Sequence, residues 1–349
     1  MRGAEVGITE QGRNALIEKI KGKKVLYVAT KNDDYIRLQQ EINLIRQYSA
    51  ENLILVSSSP NYIKRILHVY RLLLTTSLKS YDIIFVGFMV QMIIPLWSWK
   101  FRGKTVIIDF FISIYDTLVD DRKKIKGNSI VAKVLHKLDY FSIKSADYVI
   151  CDTKAHAKYF DYEFSINEER AIVLYLEADT SIYHPMKTEK PEQWKNKYLV
   201  IYFGSILPVQ GVGIVIDAIE RLKSEKNIHF LIVGPIGTKI RKPLVENVTY
   251  INWLSQKELA EYISFCDLCL AGHFSSTVGK ANRTIPGKAY IYQAMGKKMI
   301  LGDSDANHEL FNNHEYIFVP LGNSLKLAET ILKLYKTYYN TGERWQWEK

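Results

Sequence analysis

Three cations, Lys280, Arg283 and Lys288, stand close together in the run KANRTIPGKAYIYQAMGKKMILGDSDANHE, residues 280–309. The polar stretch carrying the first two enters an Ile-Pro-Gly-Lys turn and a short helix expected over 289–295. A Gly-Lys-Lys turn follows, then an apolar strand at 299–301 that ends in Gly-Asp-Ser and a polar helix start. Cations and a helix N-terminus beside the carboxyl end of a buried strand are how open α/β sheets hold phosphorylated ligands. A second segment, YLVIYFGSILPVQGVGIVIDAIERL at 198–222, reads as strand, Gly204-Ser205, a proline loop, Gln210-Gly211 and a helix. That order lets backbone N–H groups approach a diphosphate. The bland alternative is an ordinary turn whose glycines supply unusual backbone angles. No GxGxxG fingerprint and no Walker loop is present, which weakens dehydrogenase and NTPase readings.

In the first half the run IIDFFISIYDTLVDDRKK, 107–124, gathers acids and hydroxyls after a strand. Asp109, Tyr115 and Asp116 are candidates to bind an acceptor or to take the proton that a sugar hydroxyl loses as it attacks. They could equally cap a helix or lie solvated in a loop. Arg122 could meet an anion or pair with Asp121. In CDTKAH, 151–156, Asp152 or Thr153 is expected to cap the next helix, and His156 to face a ligand or to be structural.

These groups need a scaffold. A chain of 349 residues with 47% apolar composition suits two globular domains. From residue 23, short apolar runs (25–29, 53–57, 83–87, 105–109, 148–152, 173–175) alternate with helical patterns (35–48, 62–78, 90–99, 131–145, 155–159). A second series, with strands at 198–203, 229–233, 248–251, 268–271, 299–301 and 316–319, runs to a last helix at 325–335. Buried strands joined by helices mean parallel sheets covered on both faces. The expected architecture is α/β: two Rossmann-like doubly wound domains, 23–178 and 198–349, facing a cleft that holds the ligand. Residues 1–22 read as a loosely attached helix or tail, and 179–197 as a linker.

The net charge of +10 draws the chain to polyanions without choosing among them. No nucleic-acid recognition module is legible, so nucleic acid is not an expected partner. Three cysteines are too few for a disulfide framework, and the Cys266-x-x-Cys269 pair reads as a strand entry, not a metal or redox site. No signal pattern is legible, and the uncharged run 83–98 is too short to span a bilayer. The helices at 62–78 and 92–99 place lysines and arginines beside large apolar residues, which suits an anionic membrane surface; a core stripe with a solvated face is the alternative.

The two glycine loops, the acidic run and the 280–309 segment together resemble the family 4 glycosyltransferases, of the GT-B, group 1 type. The likeness covers almost the whole chain. Gly204 to Gly211 looks like the Gly-x-x-x-Pro-x-x-Gly loop of a subgroup that builds cell-surface glycans. Residues 109–122 resemble its Asp-x-Phe-Ile-Ser-x-Tyr-Asp-Thr-x-x-x-Asp-Arg run, and Asp303 and Glu309 fall in its Gly-Asp-Ser-x-x-x-x-Glu run. The wider family has an Arg and a Lys where this chain has Ser205 and Gln210. It has a ribose-binding Glu where this chain has Ile291, and a sugar-binding Glu where Arg283 stands. Lys280, Arg283 and Lys288 are then the source of charge, and the ribose is either held differently, with Gln293 a substitute for the missing contact, or bound weakly.

The resemblance implies a retaining, metal-independent transferase that uses a UDP- or GDP-linked sugar as substrate, with no cofactor. A helix end and cations take the place of a metal beside the departing diphosphate. It implies a lipid-linked saccharide as acceptor, in a cytoplasmic protein peripheral on the inner face of the plasma membrane. The alternative is a catalytically weak partner subunit or glycan-binding scaffold, suggested by Ser205, Gln210 and Ile291.

Overall fold

The computed structural model describes residues 2–341 other than 33–34, 238–239, 244 and 313. It divides into two compact units with the boundary between Glu177 and Ala178.

The first unit runs α1 (Arg2–Ile20), β1 (Lys24–Val28), α2 (Ile36–Tyr48), β2 (Glu51–Leu55), α3 (Tyr62–Thr75), β3 (Ile83–Val86), α4 (Ile94–Trp97), β4 (Thr105–Asp109), α5 (Ile130–Lys144), β5 (Tyr148–Cys151), α6 (Lys154–Phe164) and β6 (Ala171–Val173). The six strands form one parallel sheet ordered β2-β1-β3-β4-β5-β6. Successive side chains of a strand point to opposite faces, so each strand feeds two cores. Leu26, Val28, Ile84 and Val86 pack with α3, α4, α5 and α6. Val25, Tyr27, Ile83 and Phe85 pack with α1 and α2. Coverage on both faces is why these strands read as continuous apolar runs.

Two expectations are corrected here. The first stretch is the helix of the two alternatives, α1, but it is not loosely attached: Leu16 and Ile20, one helical turn apart, are fully buried in the second core. Gly12 sits so close to the chain that a Cβ there would stand 1.6 Å from the Val173 carbonyl oxygen. The continuous helix expected at 90–99 is broken into a 3-10 turn at Val90–Met92, the single turn α4, and a 3-10 turn at Ser98–Phe101. Pro95 is confined to the first turn of α4, since its ring removes a donor and clashes with the turn before it.

The second unit runs β7 (Tyr198–Phe203), α7 (Val212–Arg221), β8 (Ile228–Val233), β9 (Val248–Ile251), α8 (Gln256–Phe265), β10 (Leu268–Gly272), α9 (Lys280–Arg283), α10 (Gly287–Ala294), β11 (Met299–Asp303), α11 (Asp305–Leu310), β12 (Ile317–Pro320) and α12 (Ser324–Thr341). Its parallel sheet is ordered β12-β11-β10-β7-β8-β9. The chain therefore builds outward from β7 through β8 to β9, returns to the other side of β7 for β10, and builds outward again. The stretch read as linker is fastened to this unit. Trp194 is buried against His229, Tyr262 and Phe265, and the Lys190 ammonium pairs with Asp267.

Candidate functional site

The reversal between β7 and β10 is a topological switch point, the place where open α/β sheets leave a crevice at their carboxyl edge. Three connections meet there. Gly204 leaves β7 at φ +138°, and Gly234 leaves β8 at φ +126° with its Cα so close that an added Cβ would stand 2.3 Å from the Gly204 carbonyl oxygen. Gly211 opens α7 in the left-handed region, φ +64°, where a Cβ would meet the Ser275 amide nitrogen at 2.5 Å. The Phe274 amide donates to the Gln210 carbonyl at 3.2 Å, which sews the β7–α7 and β10–α9 connections together. Gly211, the N-cap residue of α7, has no side chain to cap the helix, so its partial positive charge is aimed at this edge.

Lys288, in the first turn of α10, is 5% exposed. Its ammonium donates to Gln210 Oε1 and lies 4.3 Å from the centroid of the Tyr202 ring. A Cβ built on Gly204 would stand 3.6 Å from Lys288 Nζ, so the cation rests directly against the glycine loop. Burial pushes this ammonium down to about 7, while the Gln210 oxygen and the π-face of Tyr202 favour its charged form. Gln210 is thus not simply a lost cation: its carbonyl orients the cation that is present. Ser205 is exposed on the same loop.

The other sequence candidates of this unit fall around that centre with different degrees of engagement. Helix α9 packs on the 208–210 turn, where its Ala281 and the preceding Val278 meet Val209. It carries half-exposed Lys280 and Arg283, the guanidinium of Arg283 lying over Gly279. Asn282 donates to Asp305 Oδ2 at 2.7 Å and accepts from the Asp305 amide at 3.0 Å, tying α9 to the start of α11. Asp303 is exposed and faces His308 Nε2 at 2.7 Å, and Ser304 caps α11 by accepting from the Asn307 amide at 3.2 Å. Glu309 is half-buried on α11. Gln293, expected to replace the missing ribose contact, donates instead to the Tyr316 hydroxyl at 3.3 Å. Sequence reading missed Tyr202, whose place in an apolar strand gave no sign that its ring lies under a cation.

In the first unit the two proposed proton acceptors are both buried. Asp109 is 1% exposed, and both its oxygens are held by Arg37, from Nε at 3.1 Å and Nη2 at 3.2 Å. Arg37 also donates to the Leu174 carbonyl at 2.6 Å and lies 3.5 Å from Glu41, which accepts from the Tyr27 hydroxyl at 2.6 Å. Burial, with Asp109 beside it, pushes the Glu41 carboxyl well up. Asp109 is therefore part of a closed buried ion cluster. Asp116 is fully buried at the start of a π-helical turn, its amide donating to Ser113 Oγ at 2.9 Å. Neither carboxylate is open to solvent: Asp109 is committed to Arg37 and Asp116 is enclosed by the turn it begins. Tyr115 on this loop is half-exposed and edge-on to the His136 ring at 5.2 Å.

The loop is held by Asp139, which sequence reading missed. Fully buried on α5, it accepts from Ser113 Oγ at 2.7 Å, from the Tyr115 amide at 2.9 Å and from Gln91 Nε2 at 2.5 Å. A single acid amid the apolar residues of that helix was the available signal. Arg122 is exposed. His156 is fully buried, its ring 4.0 Å from that of Phe160, its Nδ1 2.6 Å from Asp152 Oδ1, and its amide capped by Thr153 Oγ1 at 3.0 Å. Cys266 and Cys269 are buried, and burial pushes the Cys269 thiol up to about 12. Among the described residues no group of His, Cys, Asp or Glu is placed to hold a metal ion.

Residues 186–347, nearly all of the second unit, match the family of Glycosyl transferases group 1. The chain is 24% identical over 190 residues to the probable glycosyltransferase WbjE of Pseudomonas aeruginosa, a match spanning 50% of this chain and 46% of that protein. Among solved structures, HepE of Anabaena in complex with UDP and glucose aligns with TM-score 0.63 and 15% identity over 91% of both chains. The sucrose-phosphate synthase of Thermosynechococcus elongatus aligns with TM-score 0.64 and 11% identity over 90% of both. The second unit therefore carries the match to the group 1 glycosyl transferases, and the chain has the fold of two Rossmann-like units, GT-B, of the solved glycosyltransferases.

Proposed function

We propose that the chain is a glycosyltransferase that moves a sugar from a nucleotide-sugar donor to a saccharide acceptor. The observation that carries this is the set formed by Lys288, Gln210 and the Gly204–Gly211 loop at the switch point of the second unit. A diphosphate placed there meets the uncapped N-terminus of α7 and one fixed cation, and these stabilise the negative charge that grows as the sugar leaves. The matched family and the UDP complexes of HepE support the reading. We further propose Arg283 and Lys280 on the donor side and Tyr115 on the acceptor side. The acceptor is a lipid-linked saccharide of a surface glycan, the anomeric configuration is retained, and no metal is required.

A thermal-shift screen across nucleoside diphosphates, followed by transfer from the cognate labelled nucleotide sugar to a crude lipid extract, tests this reading. Stabilisation by UDP or GDP is expected, and Arg283→Ala should abolish it; an unchanged shift removes Arg283 from the site. Ile291, an apolar side chain where the family holds ribose, favours a second reading, a catalytically weak scaffold. Tight diphosphate binding without transfer to any acceptor would establish that one.

A further inference from the structure

On one face of the first unit, α3, the 90–101 segment and α5 form a continuous outer layer. Tyr70 of α3 packs edge-on to Trp97 and donates to the Met92 carbonyl; Lys100 donates to the carbonyls of Leu74 and Thr76 at the end of α3; α4 packs on α5. This layer leaves large apolar side chains in water. Ile63, Leu67 and Leu74 project from α3, Leu96 and Trp99 (61% exposed) from the next segment, and Ile130 (81% exposed), Val131 and Val134 head the row on α5. Among the described residues, only Trp253, Leu325 and Tyr339 are comparably exposed on the second unit. Singly exposed apolar residues need no explanation, but a contiguous set does.

The charge on this layer has one sign. The stretches 61–81, 89–104 and 123–145 contain four, three and six lysines or arginines, and their one acid is the fully buried Asp139. Lys64, Arg71, Arg102, Lys133 and Lys137 are exposed among the apolar groups. At the edge of the layer, Trp99, Arg102 and Lys104 line a recess of about 350 Å³ at the amino edge of β4 together with one acid, Asp147. A protein partner would be recognised through paired acids and bases, and a nucleic acid would not call for a row of aliphatic side chains. A surface that is anionic outside and apolar just beneath satisfies both features at once.

We propose that the α3–α4–α5 face of the first unit docks on an anionic lipid bilayer, with Leu96, Trp99, Ile130 and Val134 entering the interface and the surrounding lysines and arginines meeting lipid phosphates. This goes beyond the transfer reaction and does not depend on it.

The test is co-sedimentation of the full chain with vesicles of phosphatidylcholine alone or with about one-third phosphatidylglycerol, at low and high salt. Binding to the anionic vesicles is expected to be at least roughly tenfold tighter than to the neutral ones, given about one tenfold step for every one to two basic residues engaged. It should weaken with salt. Leu96→Glu with Trp99→Glu, and separately Ile130→Glu with Val134→Glu, should each lose most of it, while Leu325→Glu on the second unit should not. Circular-dichroism melting confirms that each variant folds. Equal binding to both vesicles, undiminished binding by the folded variants, or tighter binding to duplex DNA than to anionic vesicles would each overturn the proposal. So would self-association that the variants abolish while vesicle binding persists. Nucleoside diphosphate binding by the same variants reports on the donor site separately, so the two readings fail independently.

Discussion

Lys288 gives the donor-site account its sharpest quantitative consequence. In the free protein, burial holds its ammonium at about 7, so the side chain is about half charged at pH 7 and about one-hundredth charged at pH 9. A diphosphate bound against Gly204 would make the charged form obligatory. Binding above pH 7 must then draw a proton from solution, about 0.9 per site at pH 8. Affinity should fall as pH rises, by roughly 50-fold between pH 7 and pH 9, or about 2.3 kcal/mol. Titration calorimetry with UDP, repeated in buffers of different ionisation enthalpy, reads the proton count directly. Lys288→Met should bind weakly and show neither the pH slope nor the buffer dependence. Affinity that stays level from pH 7 to 9, with no proton taken up, would refute the claim that this cation meets the ligand.

Without ligand the same group sets a stability slope. Its folded value lies below the unfolded 10.5, so the unfolded chain holds the extra proton between about 7 and 10.5 and stability rises with pH across that window. Thermal melts of the parent minus those of Lys288→Met should show this rise; a parallel pair of curves contradicts it. Arg37→Met leaves Asp109 and Glu41 buried without their cation and should cost about 3–5 kcal/mol. In urea melts the loss should appear in the transition of the first unit, and a change under about 1 kcal/mol would deny the cluster a structural role. Gly211→Ala places a Cβ 2.5 Å from the Ser275 amide at a left-handed φ. It should destabilise the second unit by about 1–3 kcal/mol and weaken diphosphate binding, whereas Gly213→Ala, which meets nothing within 4 Å, should do neither.

The two sheets were legible because their strands are covered on both faces, and apolar runs such as IIFV at 83–86 or LCLA at 268–271 have no other use. The glycine loop and Lys288 were legible because the turn chemistry and the cation sit at sequence positions that a strand–loop–helix pattern fixes. What could not be read was which polar side chain finds which partner. Asp109 and Arg37 lie far apart in sequence, and only the packing of α2 against the sheet brings them together. Asp139 is the one acid on a helix of mostly apolar and basic residues and reaches back to the 113–116 loop. The attachment of α1 misled for the opposite reason: a few well-placed apolar residues and one glycine suffice to dock a helix whose composition is polar.

The central claim is that the diphosphate of a nucleotide sugar lies against the Gly204–Gly211 loop and Lys288. A crystal structure of the full chain with UDP tests it most directly. The account predicts diphosphate oxygens within hydrogen-bond reach of Lys288 Nζ and of the first amides of α7. Diphosphate density at any other place on the second unit, with Lys288 still turned to Gln210 alone, would contradict it.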